Sequence, residues 1–255
     1  MPKGISLHLG LNYLSPYSHS YRNRSLPLLK TSENDAKAMG ELAKVEGFEK
    51  INLLLTREAT LHNFEKLFFE LEKDLKSGDL FLLTFSGNGL AIPDSLEYSD
   101  DGQTCTWCLY DRLLPDFELA EYMKKIRKGV RVVIVSDADG AMLPKIAFDE
   151  VDRDVRWNNI SSRYSYDNER MIRASIVCYN AAHPAYETYV DEGSELSNFT
   201  RDLLAIWNGG RYVGDYRAFL MKDVLYNSSN HRFMPHFFLA GLNSEIFLEQ
   251  TPFKI

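Results

Sequence analysis

Short apolar runs that alternate with helix-spaced segments constrain the fold of this chain more than any other feature. The runs lie at residues 5–11, 51–55, 80–85, 130–135 and 174–179. Leu80-Phe81-Leu82-Leu83 and Val132-Val133-Ile134-Val135 show no polar alternation, so each strand must be buried on both faces. Between the runs, apolar residues recur at helical spacing. Ala36, Met39, Leu42 and Ala43 do so in 34–45, which stops at Gly47, and Phe64, Leu67, Phe68, Leu71 and Leu75 do so in 60–75. Further helices are expected over 116–127, with Asp116 as its cap, 197–207 and 216–226. Doubly buried strands separated by helices form a mostly parallel sheet with helices on both sides. Functional groups in such sheets collect beyond the carboxyl ends of the strands. Three stretches are therefore expected to be functional loops: 12–35, the residues after Phe85 and those after Val135. No linker and no internal repeat divides the chain, which reads as one domain over 1–255. The polar, charge-rich stretch 148–170 reads as a surface insertion.

Composition excludes several classes. With 255 residues, 45% hydrophobic and 25% charged, the chain has enough apolar surface to offset chain entropy. The 29 Lys and Arg against 36 Asp and Glu give a net charge of −7, which argues against a nucleic-acid partner. No apolar run approaches the roughly 18 residues of a membrane helix, so no membrane association is expected. Met1-Pro2-Lys3-Gly4 opens no signal-peptide core, and a cytoplasmic location is expected. Cys105, Cys108 and Cys178 are an odd number without a disulfide framework. Cys105 and Cys108 read C-x-x-C, but there is no second pair, and both read as buried structural residues.

Five blocks carry a resemblance. Leu83-Thr84-Phe85-Ser86-Gly87-Asn88-Gly89 resembles the "FSGHG" strand end of metacaspases and orthocaspases, the bacterial and lower-eukaryotic caspase homologues. Thr106-Trp107-Cys108-Leu109-Tyr110-Asp111 resembles their "TWCLYD", and the stretch 132–139 resembles their "VVVSDSC". The stretch 29–36 resembles "LxGCxNDA", and Phe247-Leu248-Glu249-Gln250-Thr251-Pro252-Phe253 resembles "FLxQxPF". The blocks stand in family order over most of the chain. The resemblance implies a caspase-like three-layer α/β/α sandwich with about six strands.

The family's chemistry is a His–Cys dyad on adjacent strand ends, in which the imidazole assists the thiol and its proton reaches the leaving amine. Carried over by motif, the His position is Asn88 and the Cys position is Asp139. Gly140-Ala141-Met142 stands where "HSG" would follow. An amide has no titratable base near neutral pH, and an ionised carboxylate only accepts hydrogen bonds. Loss of one member of such a coupled pair typically costs on the order of 10⁶ in rate. The resemblance thus implies a catalytically inactive homologue, a pseudo-peptidase with no catalytic residues. It would bind a basic peptide or a protein partner, such as an active relative that it regulates. The alternative is an active cysteine endopeptidase of the family with a displaced dyad, cleaving after Arg or Lys; His183 is the histidine to watch. His8 is expected in the core, and His19, His62, His231 and His236 on loops or the surface. A metal-dependent hydrolase would need Asp111, Asp137 and Asp139 to converge.

The resemblance also implies a pocket for the basic side chain before the cleaved bond, lined here by Asp35 and Asp137. The plainer reading is that Asp35 caps a helix and Asp137 holds strand-end amides. The calcium loop of many relatives is degraded: Thr104 and Cys105 replace an acid pair, and Pro115 replaces another acid. Asp94, Glu97, Asp100 and Asp101 then form a solvated acidic loop. No metal and no cofactor is expected, and the bacterial relatives suggest a monomer.

Overall fold

Residue parity along each strand decides which helices cover it. In β1 (Gly4–Gly10), all seven residues are buried. Ile5, Leu7 and Leu9 join one apolar cluster with Phe64, Phe68 and Leu71 of α2 (Leu61–Asp74) and Leu119 and Met123 of α3 (Asp116–Lys125). The same cluster takes Phe81, Leu83 and Phe85 of β3 (Leu80–Pro93), Val132 and Ile134 of β6 (Arg131–Asp139), and Ile176 and Cys178 of β7 (Ser175–Asn180). The alternate residues Leu80, Leu82, Val133, Val135, Val177 and Tyr179 enter a second cluster on the opposite face. There they meet Met39, Leu42 and Ala43 of α1 (Ser32–Val45) and Phe199, Leu203 and Trp207 of α4 (Asn198–Trp207). The period of two thus sorts the side chains into two cores with the sheet between them.

The computed structural model describes residues 1–22, 24, 26–93, 103–139, 172–181, 193–222 and 235–255. The main sheet runs β2-β1-β3-β6-β7-β8, with β2 at Lys50–Leu55 and β8 at His236–Gly241. The first five strands are mutually parallel, and β8 is antiparallel to β7. This is a mostly parallel central sheet of six strands with helices on both sides. A side hairpin branches from it: β4 (Gln103–Cys108) pairs with the far end of β3, and β5 (Leu113–Pro115) pairs with β4. The short helix α5 (Ser244–Phe247) follows β8.

Two expected loops are strand instead. β3 does not end at Phe85 but continues to Pro93, and β6 does not end at Val135 but continues to Asp139. Backbone pairing carries both extensions, because Ser86, Gly87 and Asn88 stay in register with Asp137, Ala138 and Asp139. Polar strand ends with a full ladder do not look like strands in sequence. The expected cap of α3 is also corrected. Pro115 precedes the helix and Asp116 is its first residue. The Asp116 carboxylate accepts from the Phe117 amide at 2.7 Å and the Cys105 amide at 3.0 Å, which ties α3 to the hairpin. The helix expected over 216–226 is described as helical through 222. The stretch 148–170 lies outside the described residues.

Gly10 sets how closely α1 approaches the sheet. A Cβ there would sit 2.3 Å from the Ser32 carbonyl oxygen and 2.7 Å from the Ala36 Cβ. Gly10 pairs with Ser86, so the close approach brings the first turn of α1 over the carboxyl end of β3.

Candidate functional site

Ser86, Asn88 and Asp137 share the strand parity that faces α1 and α4, and Ser86 and Asp137 are cross-strand neighbours. α1 delivers Asp35 from its first turn, and α4 delivers its N-cap, Ser197. Asp35, Ser86, Asp137 and Ser197 form one cluster. Asp35 Oδ2 accepts from Ser86 Oγ at 2.9 Å, and Asp35 Oδ1 accepts from the Ser197 amide at 2.9 Å. Ser197 Oγ donates to Asp137 Oδ2 at 2.5 Å while accepting from the Thr200 amide at 3.1 Å. Thr200 Oγ1 lies 3.5 Å from the same Asp137 oxygen. Asp35 is 1% exposed and Asp137 7%, so both carboxylates are removed from bulk water.

Burial pushes the Asp35 carboxyl up to about 6, against the lowering effect of hydrogen bonds from Ser197, Ser86 and Thr31. An acid whose folded pKa is raised is stabilised in its protonated form, so its contribution is fully present below the unfolded value near 3.8. That contribution is lost as pH rises through about 6. Urea unfolding at several pH values between 4 and 8 is therefore expected to show less pH-dependent loss in Asp35→Asn than in the native chain. Equal slopes in the two proteins would contradict the assignment.

Asn88 and Asp139 face each other in register at the carboxyl ends of adjacent parallel strands. Asn88 is buried, and its amide Nδ2 donates to the Pro27 carbonyl at 3.1 Å. This bond closes the segment after β1 over the end of β3. The segment is also stitched to the residues after β4: Ser18 Oγ donates to the Asp111 carbonyl at 2.5 Å, and Tyr21 Oη to the Leu109 carbonyl at 2.5 Å. A cavity of about 310 Å³ lies within it, with apolar walls from Leu14, Pro16, Leu26 and Leu28. Arg22 and Arg24 also line it.

On the opposite face, the Trp107 indole stacks on Phe85 at 4.6 Å and 4°. Its Nε1 donates to Ser136 Oγ at 2.9 Å, so Trp107 fastens β3 to β6 just before their polar ends.

The three cysteines are free and buried. Burial raises the Cys108 thiol to about 12 and pushes the Cys178 thiol well above its ordinary range. The Cys178 Sγ lies 4.0 Å from Asn180 Oδ1. His8 is fully buried with Nδ1 2.9 Å from Thr84 Oγ1, and burial lowers its pKa to about 3, so it is neutral. His19, His62 and His236 are exposed. His183, His231, the acidic cluster at Asp94, Glu97, Asp100 and Asp101, and the Gly140-Ala141-Met142 turn lie outside the described residues. Asp111 is engaged elsewhere, its Oδ1 accepting from the Leu61 amide at 2.9 Å. Among the described residues no three His, Cys, Asp or Glu side chains gather to hold a metal ion. No helix among them is long and apolar enough to cross a membrane.

The sequence marks Asp35, Asp137, Asn88 and Asp139. It does not mark Ser197 as the residue that joins two of them. A serine opening a helix is a visible cap signal, but its partners lie far away in the chain: Asp35 is 162 residues distant and Asp137 is 60.

A parallel sheet with these residues at its carboxyl ends defines a caspase-type scaffold. The family model for the caspase domain (Peptidase_C14) matches residues 18–240. The chain belongs to the caspase-like peptidase family. A crystal structure of protein GSU0716 from Geobacter sulfurreducens is similar over 100% of this chain and 99% of that one, at 31% identity and a TM-score of 0.77. Comparison with curated proteins gives no match.

Proposed function

We propose that this caspase-family chain is catalytically inactive and acts by binding a basic peptide or a basic segment of a protein partner. One observation supports the loss of catalysis above all. The two residues that the family motifs equate with the dyad, Asn88 and Asp139, are register partners on adjacent strands, which supports reading this position as one that carries an amide and an acid in place of the dyad. Neither is a competent base–nucleophile pair for amide hydrolysis. The alternative, a peptidase with a displaced dyad, draws little support from the cysteines. The Cys108 and Cys178 thiols are buried and held un-ionised at neutral pH.

The basic ligand follows from Asp35 and Asp137. Both carboxylates converge on Ser197, and among the described residues Asp35 accepts from the Ser86 hydroxyl and the Ser197 amide. A guanidinium or ammonium group entering from the strand ends would meet two converging carboxylates and bind by charge-assisted hydrogen bonds. It would also draw the Asp35 carboxyl back toward its ordinary range. Binding is then linked to ionisation of Asp35 and weakens as pH falls through about 6.

Fluorescence anisotropy with an arginine-containing reporter peptide, against the same peptide carrying norleucine, tests this reading. The arginine peptide is expected to bind at least about tenfold more tightly at pH 7.5. That preference should fall at pH 5 and in Asp137→Asn. Equal affinity for both peptides at pH 7.5 would reject the basic pocket.

A further inference from the structure

The helix that delivers Asp35 begins without a cap of its own. Thr31 stands at the N-cap of α1 and makes no side-chain bond to the first-turn amides. Its hydroxyl bonds the Asp35 carboxylate instead. The first amides of a helix have no partner within it, so an outside group must take over. Asn12, just beyond β1, does so: its Oδ1 accepts from the Glu33 amide at 3.1 Å.

Thr56 holds this substitute cap in place. Its Oγ1 accepts from the Asn12 amide at 3.1 Å and donates to Glu33 Oε1 at 2.5 Å, so one hydroxyl grips both partners of the cap bond. The Asn12 carbonyl accepts from the Leu29 amide at 2.8 Å, which closes the segment after β1 at its base. Thr56 is 2% exposed and follows the last residue of β2 with φ at +35°. That backbone is unfavourable for a β-branched residue, and Gly or Asn would adopt it at less cost. Strain of this kind persists only where the surroundings over-determine it, and it gathers at functional sites. β2 is an edge strand, separated from β3 by β1. Any influence of Thr56 on the strand-end cluster therefore runs through α1.

Resting on the reading of Asp35 and Asp137 as the seat of a basic side chain, we propose that Thr56 is a positioning residue for that pocket. It fixes Asn12 and Glu33, and with them the first turn of α1, in the place from which Asp35 meets Ser86 and Ser197. Gly10 sets how closely α1 approaches the sheet, and the Thr56 bracket pins the end of the helix. The division of labour is chemical: Thr31 serves the carboxylate, and Thr56 and Asn12 take over the capping that Thr31 gives up.

Three variants of the full chain test this. Thr56→Val keeps the β-branch and loses the hydroxyl, Thr56→Ser keeps the hydroxyl, and Asn12→Ala removes the cap acceptor. One readout needs no ligand: titration of the Asp35 carboxyl by carbon-13 NMR, expected near 6 in the native chain. The other is the affinity for the arginine reporter at pH 7.5. Thr56→Val and Asn12→Ala are expected to bring the Asp35 midpoint down toward 3.8 as water reaches a loosened turn. They should also weaken arginine-peptide binding about tenfold, while Thr56→Ser keeps both properties. Ser175→Ala removes a bond to the Leu242 carbonyl at the amino end of β7, and it should lower stability without moving either readout. If Thr56→Val does not fold, Asn12→Ala carries the test. An unmoved Asp35 midpoint in the folded variants, a Thr56→Ser that behaves like Thr56→Val, or an equal shift in Ser175→Ala overturns the proposal. A native chain without arginine preference rejects the basic pocket itself, and the Asp35 titration then decides by itself whether Thr56 positions that carboxylate.

Discussion

Replacing Trp107 with alanine is expected to cost about 4 kcal/mol of stability, the scale for truncating a fully buried tryptophan. The unfolding midpoint should fall by roughly 10 °C for a chain of this size. The loss has three parts: the buried indole surface, the stack on Phe85, and the bond from Nε1 to Ser136. Trp107→Phe separates them. It keeps one buried ring but removes the N–H donor and part of the indole volume, so it should cost about 2 kcal/mol. Thermal or urea unfolding measures both. Near-equal losses for the two variants would show that a ring beside Phe85 contributes little, which contradicts this division. The functional consequence is geometric. Trp107 joins β3 and β6 from one face, while Asp35 and Ser197 engage Ser86 and Asp137 from the other. A loosened Trp107 therefore releases the strand ends that carry Asn88 and Asp139.

The second large effect is a gain. Asn88→His combined with Asp139→Cys places an imidazole and a thiol at register-paired positions on adjacent strands. The double variant is expected to cleave a peptide after Arg or Lys, and each single variant should remain silent. A coupled pair gives its rate, on the order of 10⁶, only when both members are present. Cleavage should disappear on alkylation and weaken in Asp137→Asn. A folded double variant that binds the arginine peptide yet cleaves nothing would show that register pairing alone does not align a working dyad here.

Much of the fold was legible because doubly buried strands announce themselves. The runs around Leu82, Val133 and Val177 contain few polar residues, and the helices between them repeat at helical spacing. The strand ends were less legible. Ser86 to Asn88 and Asp137 to Asp139 are small or polar, and only pairing with each other keeps them in the ladder. The side hairpin was missed for a related reason: β5 has three residues and ends in Pro115, too short for any period to show. For the site, motif resemblance picked out Asp35 and Asp137, and the structure joins them through Ser197.

An inability of the native site to break a peptide bond is the central expectation. Incubating the native chain with Arg-, Lys- and Asp-containing reporter peptides, with and without calcium and before and after cysteine alkylation, tests this directly. No turnover above the buffer rate is expected in any arm. Sustained cleavage that alkylation abolishes would contradict it, because it would require a working thiol that Asn88 and Asp139 do not supply.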